Sequence, residues 1–422
     1  MPRRRLMSKT PEQHPILHRL VLLGTLLALG GCSWFSWVPG IGEGGEDAEE
    51  PAALVEFDAE VDLRREWRAG VGSGLGKKYV RLQPQVVADR IIAADAYGLV
   101  AAFDRFSGKK VWQQQVGEVA SRGWSLNGLM DRKDPSFISG GVGAGEGLAL
   151  IGSTRGEVIA LEVADGSLAW RTYVGAEIGA APAVSREGVF VQTIDGQVLA
   201  LDKDSGEIIW RYGSQVPLLT LRGTSAPVAQ QGLVFAGFAS GKVVALRAEN
   251  GEPVWEQRIM LPEGRSELDR IVDIDAQPLI SGSALYALAY QGRVMSLSLR
   301  DGRPRWQQEV SGHQNMAQGY GQIYIVDGDD TVYAIDQQSG DITWQHELLA
   351  RRKLSPPLAF SNYLLVGDDE GYLHVQAQLD GRMMGREKVS GDGLRAQMVV
   401  ADGTLYVLDN GGSLSAYRVT VK

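Results

Sequence analysis

One cysteine, Cys32, stands in 422 residues, so no intrachain disulfide can form. Histidine is almost as scarce. His14 and His18 lie near the start, and His313, His346 and His374 are scattered without the His-x3-His spacing of a zinc site. Positive charge is also short: the formal net charge is -9, which argues against nonspecific nucleic-acid binding. No serine sits in Gly-x-Ser-x-Gly. The glycine runs Gly70 to Gly76 and Gly140 to Gly147 satisfy neither Gly-x-Gly-x-x-Gly nor the Walker pattern, and they read as loops. Two acidic clusters, Asp327, Asp329, Asp330 and Asp368, Asp369, Glu370, miss the spacing of a calcium loop and suit hairpin turns. Hydrolase triads, phosphate cradles and bound zinc or calcium therefore find no support, and no cofactor is expected.

What the chain does have begins with a basic leader, Arg3, Arg4, Arg5, Lys9 and Arg19, followed by the apolar run VLLGTLLALGG from Val21 to Gly31. That run has eleven residues, against about 20 for a membrane-spanning helix, and has the layout of a secretory signal. It ends in LGGC, Leu29 to Cys32, which resembles the lipobox of bacterial lipoproteins. The resemblance implies cleavage after residue 31 and a diacylglyceryl group on the Cys32 thiol. Ser33, where an aspartate would favour inner-membrane retention, then implies delivery to the outer membrane, periplasmic side. Removing residues 1–31 takes five of 42 basic and one of 51 acidic residues, leaving a net charge of -13. The following stretch, with GEGGEDAEEPAA, lacks apolar periodicity and reads as a flexible acidic tether over 32–57. Such a tether has a reach of about 25–30 Å.

From residue 58 to 422 the chain repeats. Gly98, Gly156, Gly196, Gly241, Gly292, Asp330, Gly371 and Gly412 anchor eight units. Fourteen residues after the first six stand Trp112, Trp170, Trp210, Trp255, Trp306 and Trp344; after Gly371 the slot holds Gly385. Units of about forty residues match four-stranded propeller blades. GLVAAFD, GEVIALE, GQVLALD and GKVVALR alternate across two faces like half-buried strands, and the Asp-x-x-Ser-Gly run from Asp202 to Gly206 marks a turn before the tryptophan strand. The prediction is an all-β, eight-bladed propeller of four-stranded antiparallel blades. The last unit lacks its final strand, and LRREWRAG, with Trp67, is expected to supply it beside GSLSAYRV. The tryptophans are read as blade-docking core. Each removes roughly 150–250 Å² from water, an upper bound of about 4–6 kcal/mol.

The Ala-Leu-Asp-x-x-x-Gly-x-x-x-Trp signature resembles the tryptophan-docked repeats of pyrroloquinoline-quinone (PQQ) propellers. One branch holds quinoprotein alcohol and glucose dehydrogenases, which carry a quinone, calcium and often an adjacent-cysteine disulfide. That disulfide is impossible here. The other branch is the BamB family of outer-membrane lipoproteins in the β-barrel assembly machinery, and the leader agrees with it. The resemblance covers residues 58–422. It implies a non-catalytic scaffold that binds the periplasmic domains of BamA and other assembly subunits. The alternative is a PQQ-dependent, dehydrogenase-like oxidoreductase. Exposed blade edges also offer strand addition to an unfolded outer-membrane client, although such edges are usually guarded.

Loop lengths point to a docking face. From each tryptophan to the next anchor the counts are 44, 26, 31, 37, 24 and 27, so chain is added after Trp112, Trp210 and Trp255. All three insertions join one blade's last strand to the next blade's first, and so emerge on one face. QVPLLTLRGTSAP carries Leu219, Leu221 and Arg222; LPEGRSELDRIVDIDAQP carries Asp273 and Asp275. Arg222 and Asp273 each precede a proline by five residues, which makes them equivalent on adjacent blades. An extended backbone puts Leu219 with Leu221, and Asp273 with Asp275, on one side. An apolar strip beside charges suits a protein interface. The resemblance carries these five residues over as BamA contacts. The first insertion, 118–147, with Trp124 and Phe137, reads as a lid or second contact.

Overall fold

In the computed structural model, residues 50–422 are described except 77–80, 118–136, 215, 218, 221–223, 263–264, 267 and 269. The expected leader, Cys32 and Trp124 lie outside the described residues, as do Leu221 and Arg222. Eight sheets account for all the strands. Blade 1 runs from Gln85–Val87 to Lys110–Gln115, blade 2 from Ile138–Gly145 to Leu168–Tyr173, and blade 3 from Ala183–Ser185 to Ile208–Gly213. Blade 4 spans Val228–Gln230 to Pro253–Arg258, and blade 5 Leu279–Ser281 to Pro304–Gln308. Blades 6 and 7 run from Ala317–Gly319 to Ile342–His346 and from Leu358–Phe360 to Met383–Lys388. Blade 8 joins Val399–Ala401, Thr404–Leu408 and Ser413–Val421 to the first strand among the described residues, Val61–Gly70.

That last pairing closes the ring as expected: Val61 stands opposite Val421 and Gly70 opposite Ser413, antiparallel. Seven sheets have four strands; blade 2 has a fifth, Arg81–Leu82, parallel to its inner strand. The glycine run expected to be a loop is mostly that inner strand, Ile138–Gly145. A Cβ on Gly140 would come within 2.3 Å of Ala180 O, and one on Gly143 within 1.9 Å of Pro182 O. Side-chain-free backbone lets blade 2 lie against the start of blade 3. Phe137, expected in a lid, is buried in the core beside Val116 and Ile138.

One contact recurs around the ring. Each outer strand bulges at the residue before its tryptophan, and the indole then faces a small residue across the strand. Trp112 faces Ala102, Trp170 Ala160, Trp210 Ala200, and Trp67 Ala416. The bulge tips the ring over the next blade, where it meets a glycine in a left-handed turn. Added Cβ atoms on Gly166, Gly206, Gly251 and Gly302 would touch Trp112, Trp170, Trp210 and Trp255 at 2.5–2.6 Å. Each indole N–H donates to a carbonyl of that same next blade: Trp170 to Lys203 O at 2.8 Å, Trp210 to Ala248 O at 2.8 Å, Trp255 to Leu299 O at 3.1 Å. Trp67 does this across the closure, donating to Arg105 O at 2.9 Å. In blades 5 and 6 a tyrosine hydroxyl joins the same acceptor: Tyr286 and Trp306 share Gln337 O, and Tyr324 and Trp344 share Gln378 O.

Gly385 breaks the pattern for a visible reason. Blade 8 is completed from the other end of the chain and has no turn leading into its outer strand, so no glycine awaits a tryptophan. The space belongs to Val61: a Cβ on Gly385 would lie 2.8 Å from Val61 Cγ2. Correspondingly, the residue opposite Gly385 is the larger Val375. Ring contacts also begin before residue 58. Ala52 N–H donates to Ala350 O at 2.9 Å and Glu60 N–H to Met384 O at 2.8 Å, so residues 52–60 lie along the outer strand of blade 7.

Candidate docking face

Strands alternate in direction within a blade, so connections between blades share one face with the turns between second and third strands. The segments after Trp210 and Trp255 therefore emerge together, between blades 3 and 4 and between blades 4 and 5. Leu219 is 44% exposed, and Val216, Leu261 and Leu268 are also exposed on these two connections.

Asp273 and Asp275, expected at the interface, are 0% and 2% exposed, in an unbroken buried run with Ile271, Val272, Ile274 and Ala276. Ile274 N–H donates to Phe238 O at 3.3 Å and Tyr290 N–H to Asp273 O at 2.9 Å, tying the segment to blades 4 and 5. Ser225, at the end of the preceding connection, donates to Ala276 O at 3.1 Å. The two connections are thus joined beneath the surface. The aspartates underlie the face, and Leu219 lies on it.

Elsewhere the acidic clusters behave as turn residues. Asp330 takes φ +66° where other units have glycine. Its carboxylate accepts from Lys353 N at 2.6 Å and Leu354 N at 2.8 Å, pinning the connection from blade 6 to blade 7. Burial pushes its pKa up despite those bonds. Asp368 accepts from Tyr372 N at 2.8 Å and Glu370 N at 3.1 Å, and also from two side chains, Arg352 Nε at 2.7 Å and His374 Nε2 at 3.0 Å. Burial acts to raise the Asp368 pKa, but these donors outweigh it and hold it low. His374 is wholly buried. No sequence motif marks this buried charge cluster, because its members come from a loop, a turn and a strand.

The quinone of the dehydrogenase branch has a definite chemistry to match. A recess of about 220 Å³ at the inner strands of blades 1 to 4 is lined by Gln83, Gln85, Gln277, alanines, Val184, Val228, Pro182 and Pro227. It presents neither carboxylate nor guanidinium to a tricarboxylated quinone or its cation. Among the described residues no group of three or more His, Cys, Asp or Glu is placed to hold a metal. These residues do not fit the group.

The fold is an eight-bladed, tryptophan-docked propeller with lengthened connections between blades 3 and 4 and between blades 4 and 5. The family profile described as "Outer membrane protein assembly factor BamB" matches residues 96–346 and 329–420. The outer membrane protein assembly factor BamB of Pseudomonas aeruginosa is 42% identical over 94% of this chain and 98% of its own length. The chain belongs to the BamB family. Among solved structures, BamB from Moraxella catarrhalis aligns with a TM-score of 0.74 at 27% identity, covering 85% of this chain and all of that one. A quinohemoprotein alcohol dehydrogenase from Comamonas testosteroni reaches 0.64 at 15% identity over 84% and 76%, a likeness of fold alone.

Proposed function

We propose that the chain is a non-catalytic scaffold in the assembly of outer-membrane β-barrel proteins, anchored through a lipid on Cys32 at the periplasmic side. It docks on the periplasmic domains of BamA through the face built by residues 213–227 and 259–278. Leu219, Leu221 and Arg222 make the contact, and Asp273 and Asp275 hold the neighbouring connection in place beneath it. Family membership supports assembly as the task. The observation that carries the site is the exposed apolar set around Leu219 on two connections joined through Ser225 and Ala276. The mechanism is positional: a rigid ring holds mobile domains of its partner in one orientation, and no bond is made or broken.

The test is Leu219→Asp combined with Arg222→Ala in the full chain, with affinity for the BamA periplasmic domains measured and folding checked by circular dichroism. Loss of a central apolar contact and its charged neighbour is expected to weaken binding at least tenfold. Unchanged affinity in a folded variant overturns the docking face. Cys32→Ala is expected to leave the protein soluble after membrane fractionation; retention in the membrane fraction overturns the anchor.

A further inference from the structure

Residues 52–60 descend the outer strand of blade 7, and their hold on it is concentrated in a few side chains. Arg352 Nη1 donates to Ala52 O at 2.9 Å. Both Nη1 and Nη2 of Arg386 donate to Val55 O at 3.1 Å, and its guanidinium lies 5.1 Å from the Phe57 ring centroid. Arg382 pairs with Glu60 at the far end. Blade 7 needs this cover. Met383 and Met384 at the start of its outer strand are both buried, whereas the first two positions of the outer strands in blades 1 to 6 are exposed or half-buried.

Arg386 is positioned from behind by His374. Its Nε donates to His374 Nδ1 at 3.3 Å, and His374 Nε2 donates to Asp368 Oδ2 at 3.0 Å. This chain of bonds requires a neutral imidazole with its proton on Nε2. The charged groups around it are Asp368 from the turn, Arg352 from the blade 6–7 connection with Glu370 on its other nitrogen, and Arg386. The Tyr372 ring lies 6.2 Å away, with Lys388 Nζ 5.1 Å from its centroid.

We propose that residues 52–60 form a latch on blade 7 that acid opens through His374. A proton from solvent added at Nδ1 removes the acceptor used by Arg386 Nε and sets an imidazolium against a guanidinium. Arg386 then moves away and releases Val55 and Phe57, while Arg352 and the Glu60 contacts keep the ends of the latch attached. The opened segment bares the outer strand of blade 7 around Arg386, beyond the retained bond from Glu60 N–H to Met384 O. Burial, opposed in part by Asp368, holds His374 protonation below its ordinary value of 6.5, so the latch is closed at neutral pH and opens below it.

Hydrogen exchange on the full chain between pH 8 and 5 tests this, corrected for the intrinsic pH dependence of exchange. Protection of residues 52–60 and 383–388 is expected to fall at least tenfold across that range, with the inner strands of other blades unchanged. His374→Gln, which offers a neutral acceptor at every pH, should abolish the fall. Arg386→Gln should leave the segment open already at pH 8. Constant protection in the unaltered chain, or the same acid response in His374→Gln, overturns the latch. Should His374→Gln misfold, the imidazole titration of His374 followed by nuclear magnetic resonance must coincide with opening; separate midpoints overturn it equally.

Discussion

At the scale of the residue, the contact between Trp255 and Gly302 carries the logic of the ring. Gly302 has φ +68°, and a Cβ there would sit 2.6 Å from the indole. Gly302→Ala is therefore both strained and overpacked, and should lower stability by about 2–4 kcal/mol, read as a shift in denaturant midpoint. Gly147 is a sharper comparison: φ is +86° but nothing lies within 4 Å of an added Cβ. Gly147→Ala should cost only about 1 kcal/mol, the backbone strain alone. Trp255→Ala should cost about 3–5 kcal/mol. His374 adds a pH dependence with a definite sign. Its folded pKa is depressed below 6.5, so the unfolded chain binds protons first. Stability is full above about pH 6.5 and falls as pH drops through the interval between the two values. His374→Gln should flatten that part of a stability–pH curve.

At the scale of the element, the outer strand is where sequence pattern and structure agree most closely and also where they part. The fourteen-residue step from glycine to tryptophan marks a hairpin, a strand and a docking ring, and these periodic features are local. What a periodic pattern does not carry is direction. An extended backbone predicts Asp273 and Asp275 on one side of their segment, but the whole run from Ile271 to Ala276 is buried, held by bonds to Phe238 and Tyr290 beyond the strands of blades 4 and 5. Glycines 140 to 145 looked like a loop because glycine weakens strands; the neighbouring backbone of Ala180 and Pro182, which demands them, is distant in sequence. Arg81–Leu82, a two-residue strand, is too short to leave any pattern. Gly385 looked like a lost tryptophan and is a fitted partner for Val61. Gly385→Ala should destabilise the seam between blades 7 and 8 by about 1–3 kcal/mol, detected as a lower denaturant midpoint. Gly385→Trp should be worse, since no glycine on blade 8 receives the ring.

At the scale of the whole molecule, stability depends on a joint between the two ends of the chain. Val61–Gly70 supplies the outer strand of blade 8, the Trp67 dock onto blade 1 and the Val61 plug against blade 7. Deleting residues 1–50 should leave the melting temperature within a degree or two of the full chain. Deleting 1–70 removes all three connections at once. It should yield aggregating or expanded protein by size-exclusion chromatography, not a slightly weaker ring. A monomeric, cooperatively melting 71–422 fragment would show that the joint is dispensable.

The same joint dictates an order of events during biogenesis. Val61 is synthesised long before Val421, its partner 360 residues later. Until the C-terminal tail arrives, the earliest strand has no neighbour for its hydrogen-bonding groups and Trp67 has only half its cradle. Seven sheets can form in turn behind the growing chain, but the circle is sealed only once Ser413–Val421 is made, and nascent molecules spend the interval with two raw margins facing solvent.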